Sequence, residues 1–387
     1  MGKARTAEIA GAGLAGLALA VRLAQVGWQV RLHERSKELR VVGSGIWLWE
    51  NGLRALEMLG AFERATYRAM AIREWRIADE SGRIIMTRRT SRGDRFLLSL
   101  REDLYNSLID RAMGLGVNIV TSSTVVRVKS EGILVTENGY EGRADLIVVA
   151  DGAYSRLRSC IRSQPRIKLW DEGGIRMLIG TRPDDITDIV TEYWNGKLRL
   201  GYNPCTEGQN YIYLCAPTSD ARAVKIPTDV VYWTEKFPRA ANLIKRFGEA
   251  GRWDSFVSVR CRRWHDGRVA LIGDAAHAMQ PNLGQAANTA FVNALALAAA
   301  LDRDKDVDRA LQSWETEQRP LTEHVQRFSD AYGTVLQKWP SMFLPLRGPL
   351  MRRLCNTACF DVALNRGARK SPNGYGSYGG GARDHLC

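Results

Sequence analysis

Three glycines near the beginning of the chain have the spacing of a phosphate-binding turn. Gly11, Gly13 and Gly16 form a Gly-x-Gly-x-x-Gly pattern between the strand-like segment 7–10 and the amphipathic segment 14–26. The first glycine permits a tight turn, the second lets the backbone approach a pyrophosphate, and the third lets the helix pack closely on the strand. The N-terminus of that helix attracts the negative charge of such a ligand. The pattern therefore predicts a dinucleotide site.

An acidic residue strengthens this prediction. Glu34 follows the strand-like segment 29–33, a position from which a carboxylate can accept hydrogen bonds from an adenosine ribose. We include Ala15, within the turn, and Arg35, beside the acid, in the predicted cofactor site. A turn without a ligand is the alternative, and the common register of strand, helix, second strand and acid argues against it.

A second turn follows an apolar strand near the middle of the chain. In DLIVVADGAYSRLR the strand ends at Asp151 and Gly152, and Ser155 and Arg158 follow. Ligands bind at the carboxyl ends of strands in open α/β sheets, so Asp151 is a candidate cofactor contact. An Asp–Gly pair is more often an ordinary turn, and this alternative stays open.

A third turn lies in RVALIGDAAHAMQPNLGQAANTAF. Asp274 follows the strand, where its carboxylate can accept hydrogen bonds from sugar or ribityl hydroxyls, and Pro281 lies in the loop before a helix. The N–H groups at the start of that helix present a positive end to an anionic group. These N–H groups belong to Gly284, Gln285, Ala286 and Ala287. An ordinary strand–turn–helix is the alternative reading.

The elements that position these turns predict an α/β fold with two kinds of sheet. Alternating apolar and polar residues between about 170 and 260 indicate an antiparallel sheet with one covered face. We predict a discontinuous Rossmann-like nucleotide-binding domain, an inserted mixed or antiparallel β-sheet substrate domain, and C-terminal helices. The predicted limits are 1–70, 96–168 and 262–335 for the first, 71–95 and 169–261 for the second, and 336–387 for a helical segment with a Gly/Tyr tail.

The middle sheet also carries candidate substrate contacts. Arg199, Tyr211 and Tyr213 alternate with apolar residues, and Arg176 alternates with its apolar neighbours in GGIRMLIG. Side chains two residues apart share a face of a strand, so these four side chains lie on the polar face. Arginines there suit an anionic, oxygenated aromatic ring. Arginines that face solvent on a half-covered sheet are the alternative.

Composition limits the class of protein. The chain has 387 residues, of which 45% are hydrophobic and 25% charged, as in an ordinary globular protein. No apolar run approaches the ~18 residues of a membrane span, so we expect a cytoplasmic protein without a membrane partner. The net charge of +13 suits nucleic acid, an anionic cofactor or an anionic small substrate, and charge alone does not choose among them. The cysteines show no metal-ligand spacing, so no metal site is expected.

Together these motifs resemble the FAD-dependent aromatic hydroxylases of the para-hydroxybenzoate hydroxylase type, over about residues 7–330. The resemblance implies that the dinucleotide is FAD. It also implies that Arg101 contacts FAD and that the Val126 backbone lies near the adenine. Pro281 would border the reactive edge of the flavin as a catalytic residue. Tyr211 would act in catalysis and, with Arg176 and Arg199, in substrate binding.

Within this family, the segment 31–60 looks most like the 2-methyl-3-hydroxypyridine-5-carboxylate oxygenases. WENG at 49–52 and FVNA at 291–294 support this, since many family members carry other residues there. One departure is Ala286, which replaces a common glycine and could tighten the approach to the flavin. The part of the chain after Trp339 has no counterpart in the resemblance.

The resemblance implies an FAD-dependent monooxygenase that uses NADH or NADPH and O2 to hydroxylate a hydroxylated aromatic or pyridine carboxylate. Hydroxylation would proceed through a flavin C4a-hydroperoxide, with ring opening as a further step suggested by the resemblance alone. Only one dinucleotide pattern is present, so the nicotinamide would dock transiently. The expected partners are a small anionic aromatic or N-heterocyclic substrate and O2, and a homodimer is compatible with the sequence. A flavin-dependent hydroxylase of a larger natural product or drug and, remotely, a basic nucleic-acid-binding protein are the alternatives.

Overall fold

The computed structural model describes residues 4–39 and 43–373. The strands in these ranges are β1 (Thr6–Ala10), β2 (Gln29–His33), β3 (Gly45–Trp49), β4 (Met70–Ala71), β5 (Glu74–Asp79), β6 (Ile84–Arg89), β7 (Phe96–Leu100), β8 (Asn118–Val120), β9 (Val125–Lys129), β10 (Ile133–Thr136), β11 (Glu141–Arg143), β12 (Leu146–Val149), β13 (Pro165–Gly180), β14 (Ile189–Asn195), β15 (Leu198–Pro204), β16 (Gln209–Pro217), β17 (Arg252–Cys261), β18 (His265–Asp266) and β19 (Val269–Leu271). The helices are α1 (Leu14–Gln25), α2 (Glu50–Leu59), α3 (Phe62–Thr66), α4 (Arg101–Gly114), α5 (Val230–Lys236), α6 (Ala241–Ile244), α7 (Asp274–His277), α8 (Ala286–Arg303), α9 (Val307–Lys338), α10 (Leu344–Cys355) and α11 (Ala358–Asn365).

A six-stranded sheet, in the order β18-β19-β12-β1-β2-β8, carries the predicted nucleotide-binding turns. Strand β1 pairs in parallel with β12 and with β2, and β12 pairs in parallel with β19. The carboxyl ends of these parallel strands meet at one edge, which brings the three predicted turns together. Apolar strand residues such as Ile9, Leu32 and Val148 are fully buried, because helices cover the sheet.

A seven-stranded mixed sheet, in the order β17-β13-β16-β15-β14-β5-β6, forms the second part. Strands β14 and β5 are parallel, and the other neighbours are antiparallel. One face packs its apolar residues, among them Leu200 and Leu214, against Trp233 and Phe237 near α5. The opposite face lines the cleft between the two sheets. The predicted fold class, a Rossmann-like part with a mixed sheet and C-terminal helices, is confirmed.

Two local features of the fold affect the site. Helices α2 and α3 are separated at Gly60, whose φ of +67° ends α2 before α3 begins. Strand β3, which the sequence patterns did not reveal, pairs with β7 and borders the cleft.

No helix within 4–39 or 43–373 has the length and apolar character needed to cross a membrane. The Gly/Tyr tail lies beyond residue 373, outside the described residues.

Candidate functional site

A cavity of about 530 Å³ lies between the carboxyl edge of the six-stranded sheet and the open face of the seven-stranded sheet. A smaller cavity of about 260 Å³ adjoins it near Glu34 and shares Gly13, Arg101 and Arg176 with it. The two cavities together form a continuous cleft. The cleft runs from the phosphate-binding turn to the part lined by Glu192, Arg199, Tyr211 and Tyr213, which we call the ring pocket.

The three glycines of the turn have different structural roles. Gly11 has a φ of +108°, and a Cβ there would lie 2.5 Å from the Ala150 oxygen. A Cβ at Gly16 would lie 2.1 Å from the Gly11 oxygen, so this residue permits close helix–strand packing. Gly13 caps α1, and a Cβ there would meet no atom within 4 Å. Gly13 thus leaves open space in front of a helix N-terminus, as an anionic group requires.

The carboxylate of Glu34 is fixed by backbone donors. Its oxygens accept hydrogen bonds from the Ala12 N–H (3.1 Å) and the Ser36 N–H (2.9 Å). This orientation places Glu34 on the wall of the smaller cavity, where a ribose hydroxyl can reach it. Arg35 and Val126 are both exposed, and neither lines the two cavities. Their predicted cofactor contacts therefore stay predictions.

The Asp–Gly turn leaves polar atoms without partners. The Asp151 Oδ1 and the Ser155 Oγ are buried and have no hydrogen-bond partner among the described residues. Burial raises the pKa of Asp151. Arg158 is buried too, but its guanidinium donates to the Ala153 and Ala275 carbonyls and ties this turn to the third one. Gly152 and Ala153 of this turn line the main cavity, whereas Asp151 and Ser155 do not, so the predicted cofactor contact of Asp151 stays a prediction.

Asp274 begins α7 at the end of the third turn. Its carboxylate faces the cleft and makes no hydrogen bond or ion pair with any described residue. Desolvation by the surrounding protein raises the pKa of Asp274, and the charges of Arg101, Arg176 and Arg158 oppose the rise. Arg101, the first residue of α4, lines the same cleft. An unpaired carboxylate in this place fits a ligand that donates hydroxyl groups.

The loop before α8 completes this side of the cleft. Pro281 is exposed there. Gly284 has a φ of +60°, and a Cβ at this position would lie only 2.8 Å from the Trp47 side chain. Ala286 and Ala287 line the cavity at the helix N-terminus, as expected from the sequence. The buried Gln285 side chain accepts a hydrogen bond from Asn51 (3.3 Å), and Gln285 does not line the cavity, so its predicted cofactor contact stays a prediction.

The predicted polar face of the middle sheet does border the cleft. Arg176, Arg199, Tyr211 and Tyr213 all line the main cavity. The sheet register explains this, because Arg176 pairs with Tyr213 and directly opposed residues share a face. The Tyr211 hydroxyl makes no hydrogen bond with another described residue, so it is free to serve a ligand.

Both arginines are already paired with carboxylates. Arg199 is buried, and its guanidinium donates to Glu172 (2.6 Å) and Asn282 (2.8 Å). Arg176 donates to Asp254 (3.1 Å). The sequence predicted that Arg176 and Arg199 face the cleft, but it did not reveal the carboxylates of Asp254 and Glu172 that pair with them.

A second buried carboxylate completes the deep end of the ring pocket. Glu192 accepts hydrogen bonds from Trp194 Nε1 (2.5 Å), from the Tyr332 hydroxyl (2.5 Å) and from the Tyr213 hydroxyl. Its Oε2 lies 3.8 Å from an Arg199 nitrogen. Sequence reasoning missed Glu192, although it alternates along β14 in the same way as the residues that were predicted.

The WENG and FVNA segments hold the loops of the site. The Asn51 amide of WENG bonds to Gln285, and a Cβ at Gly52 would lie 1.9 Å from the Asn288 oxygen. The Asn293 amide of FVNA bonds to His277 (3.1 Å), which is buried. These residues act as structural supports behind the cleft.

Comparison with known proteins agrees with this geometry. Residues 3–329 match the FAD binding domain family. The chain is 39% identical over 334 residues to a putative 2-heptyl-3-hydroxy-4(1H)-quinolone synthase of Rhodococcus erythropolis, with 85% of this chain and 87% of that protein covered. It is 37% identical to a 2-heptyl-3-hydroxy-4(1H)-quinolone synthase of Mycobacteroides abscessus, with 90% and 94% covered. A solved tetrameric 2-methyl-3-hydroxypyridine-5-carboxylic acid oxygenase is 34% identical, with a TM-score of 0.85 and 96% and 98% covered.

The chain belongs to the FAD binding domain family, and it is an FAD-dependent monooxygenase of the aromatic hydroxylase class. The predicted family and cofactor are thereby confirmed. The residues present fit FAD: Gly13 leaves open space before a helix N-terminus, and Asp274, which has no hydrogen-bond partner among the described residues, lines the cleft.

Proposed function

We propose that this monooxygenase uses NADH or NADPH and O2 to hydroxylate a neutral nitrogen-containing aromatic ring of the 4-quinolone type. The observation that carries this proposal is the charge balance of the ring pocket. Arg199 is the buried cation there, and two buried carboxylates, Glu172 and Glu192, lie within 4 Å of it. The cation is therefore neutralised before any substrate enters.

An anionic substrate fits this balance poorly. Two like charges about 4 Å apart repel by about 4 kcal/mol at the effective dielectric constant near a protein surface. A substrate carboxylate beside Arg199 would meet the Glu192 carboxylate at a comparable distance. A neutral ring with one donor and one acceptor avoids this repulsion. Two relatives of this chain are named as synthases of a hydroxylated 4-quinolone, which supports the same substrate class.

A hydroxylated pyridine or benzoate-type carboxylate is the second candidate. The likeness to the pyridine-carboxylate oxygenase favours it, and Arg176 lies at the rim with a quarter of its side chain exposed. At the rim, solvent weakens the repulsion from Asp254, so Arg176 can still meet a carboxylate. Arg176 is thus the better of the two arginines for that substrate.

The chain's own residues bind and orient the reactants. FAD, when bound, supplies the activation of O2 and the transfer of a hydroxyl group. The Gly11–Gly16 turn and Asp274 hold the cofactor, and the α8 N-terminus at Ala286 and Ala287 places a positive helix end in the cleft. Pro281 borders the reaction space. The Tyr211 hydroxyl can hydrogen-bond the ring oxygen of the substrate. Trp47 and Phe256 give this part of the cavity apolar walls, which disfavour water beside the reacting groups.

A substrate comparison tests this proposal. Purified FAD-loaded protein is given NADH or NADPH and either 2-heptyl-4(1H)-quinolone or a hydroxypyridine carboxylate, and nicotinamide oxidation and product mass are measured. We expect a hydroxylated quinolone as the main product. Hydroxylation of the carboxylate alone, abolished by Arg176→Ala, would instead establish the second candidate.

Two variants sharpen the comparison. Tyr211→Phe removes one hydroxyl from the pocket, so we expect nicotinamide consumption with more hydrogen peroxide and less hydroxylated product. Tyr202→Phe is the control, because Tyr202 bonds to the Ile186 carbonyl and belongs to the covered side of the sheet. Equal coupling in both variants would remove Tyr211 from the site.

A further inference from the structure

Tyr213 presents only one hydrogen-bonding function to the ring pocket. Its hydroxyl donates to the Glu192 carboxylate, so its proton is committed away from the cavity. Burial and the nearby carboxylate raise the pKa of Tyr213 well above its usual value, so the phenol keeps this proton. The Tyr213 oxygen can therefore accept a hydrogen bond from a ligand but cannot donate one.

The Glu192 carboxylate is built to hold Tyr213 in this orientation. It is 2% exposed and also accepts from Trp194 and Tyr332, each at 2.5 Å. A carboxylate that accepts from three donors is held in one position. The acceptor function of Tyr213 is thus set before a substrate binds.

Both tyrosine rings are fixed over glycines. A Cβ at Gly201 would lie 2.1 Å from the Tyr213 ring, and a Cβ at Gly45 would lie 2.7 Å from the Tyr211 ring. The two ring centroids are 6.0 Å apart. Tyr211, whose hydroxyl is free, can donate, whereas Tyr213 can only accept. The pocket wall therefore offers one donor and one acceptor side by side.

We propose that Tyr213, oriented by Glu192, accepts a hydrogen bond from a ring N–H of the substrate and so selects protic N-heteroaromatic rings over their N-alkylated forms. This inference rests on the proposed function. A 4-quinolone matches it, because its ring carries an N–H donor and a carbonyl acceptor. A hydrogen bond at the N–H also increases the electron density that the nitrogen supplies to the carbon beside the carbonyl, where an electrophilic hydroxyl adds. Tyr213 touches the substrate, and Glu192 is a positioning residue.

The test measures binding rather than turnover. Dissociation constants of 2-heptyl-4(1H)-quinolone and of its N-methyl analogue are determined from the change in flavin absorbance of the FAD-loaded protein. We expect the N-methyl analogue to bind about tenfold more weakly to the wild type, as loss of one hydrogen bond with an unsatisfied partner implies. In Tyr213→Phe this ratio should fall to about one.

Glu192→Gln tests the positioning role. The amide can donate to the Tyr213 oxygen, which frees the tyrosine proton to turn towards the ligand, so the ratio should fall there too. General disruption of the pocket would weaken both ligands equally and leave the ratio unchanged. Tyr193→Phe is the matched control, because Tyr193 packs on the covered face of the sheet, and it should keep the wild-type ratio.

The outcomes separate this inference from the proposed function. Hydroxylation of the quinolone by the wild type with a binding ratio near one would overturn the role of Tyr213 and leave the proposed function standing. A ratio that persists in Tyr213→Phe would show that bulk alone excludes the methyl group, and it too would overturn the inference. Failure of the wild type to bind either quinolone would overturn both.

Discussion

Among the three glycines of the phosphate-binding turn, Gly13 is the one with open space where a side chain would lie. A Cβ at Gly11 or Gly16 would collide with backbone atoms, whereas a Cβ at Gly13 would meet nothing within 4 Å. Substitution at Gly13 should thus spare the fold and act on the cofactor. This separates binding from folding at a single residue.

Gly13→Val should fold normally and lose FAD. The branched side chain occupies the space where the backbone meets the pyrophosphate, and we expect at least tenfold weaker FAD binding, or about 1.4 kcal/mol. Flavin fluorescence titration of the apoprotein measures the affinity, and thermal unfolding checks the fold. Gly114→Val is the matched control, because Gly114 also has open space and lies at the end of α4. Normal FAD affinity in Gly13→Val would refute the role of the turn.

The Asp274 carboxylate should strengthen FAD binding and lower the stability of the apoprotein. Its pKa is raised in the folded protein, so its contribution to stability is present below the pKa of the unfolded chain and is lost as the pH rises through the folded value. The Asp274→Asn side chain does not ionise, so the variant does not lose stability in this way as the pH rises. The Asp274→Asn apoprotein should therefore be at least as stable as the wild-type apoprotein at pH 7. FAD affinity should fall about ten- to a hundredfold, because a charged acceptor is lost.

Calorimetry of the apoprotein and FAD titration check this pair of effects. Asp171→Asn is the control and should change neither quantity, because Asp171 is an exposed residue of β13 whose side chain makes no hydrogen bond or ion pair with the described residues. Unchanged FAD affinity in Asp274→Asn would make the third turn purely structural.

Strand β3 and helix α8 are held together by one side chain. The Asn288 amide donates to the Trp47 oxygen (2.9 Å) and the Gly284 oxygen (2.8 Å), and its oxygen accepts from the Trp49 N–H (3.1 Å). The loop that begins α8 therefore takes its position from a strand more than two hundred residues earlier in the chain.

Asn288→Ala should weaken both the fold and the cofactor site. Three hydrogen bonds of about 1 kcal/mol each are lost, so we expect about 3 kcal/mol less stability by urea denaturation. FAD affinity should fall as well, because Ala286 and Ala287 lose their fixed position. Asn195→Ala, which removes one bond to the Lys236 carbonyl far from the cofactor, should keep FAD affinity. An Asn288→Ala protein that is less stable but binds FAD normally would show that this contact supports the fold alone.

At the scale of helices and strands, sequence patterns predicted some elements of the site and not others. The alternation along β15 and β16 predicted the cleft-facing side chains, because period two follows from strand geometry alone. Strand β3 escaped prediction, because Trp47 and Trp49 lie in a short apolar run that fits a helix or a strand equally well. Its pairing with β7 becomes visible only in the folded chain.

At the scale of the whole molecule, a buried histidine links stability to pH. Burial lowers the pKa of His277 to about 4, while the unfolded chain has a value of about 6.5. A depressed folded-state pKa means that the stability contribution is complete above pH 6.5 and is lost as the pH falls towards 4. The loss amounts to ~3 kcal/mol over that interval.

His277→Gln should flatten this part of the pH profile. The free energy of unfolding of the apoprotein is measured by urea denaturation between pH 7 and pH 4.5 in wild type and variant. The wild type should lose more stability on acidification than the variant does. Parallel profiles would show that His277 titrates normally in the folded protein.

The sequence by itself determined the turns and the dinucleotide class of their ligand, and the family resemblance added that the dinucleotide is FAD. Glycine spacing and acids at strand ends are local features, and parallel strands bring their carboxyl ends to one edge of a sheet, so Gly13, Gly152 and Asp274 were foreseeable as neighbours. The tertiary structure alone decided the charge of the ring pocket. Alternation shows which face Arg199 occupies, but Glu172 and Glu192 come from two other strands, and the proton of Tyr213 follows from Glu192. A buried charge acts through its partners, and partners distant in the chain are set by strand pairing, which residue patterns do not encode.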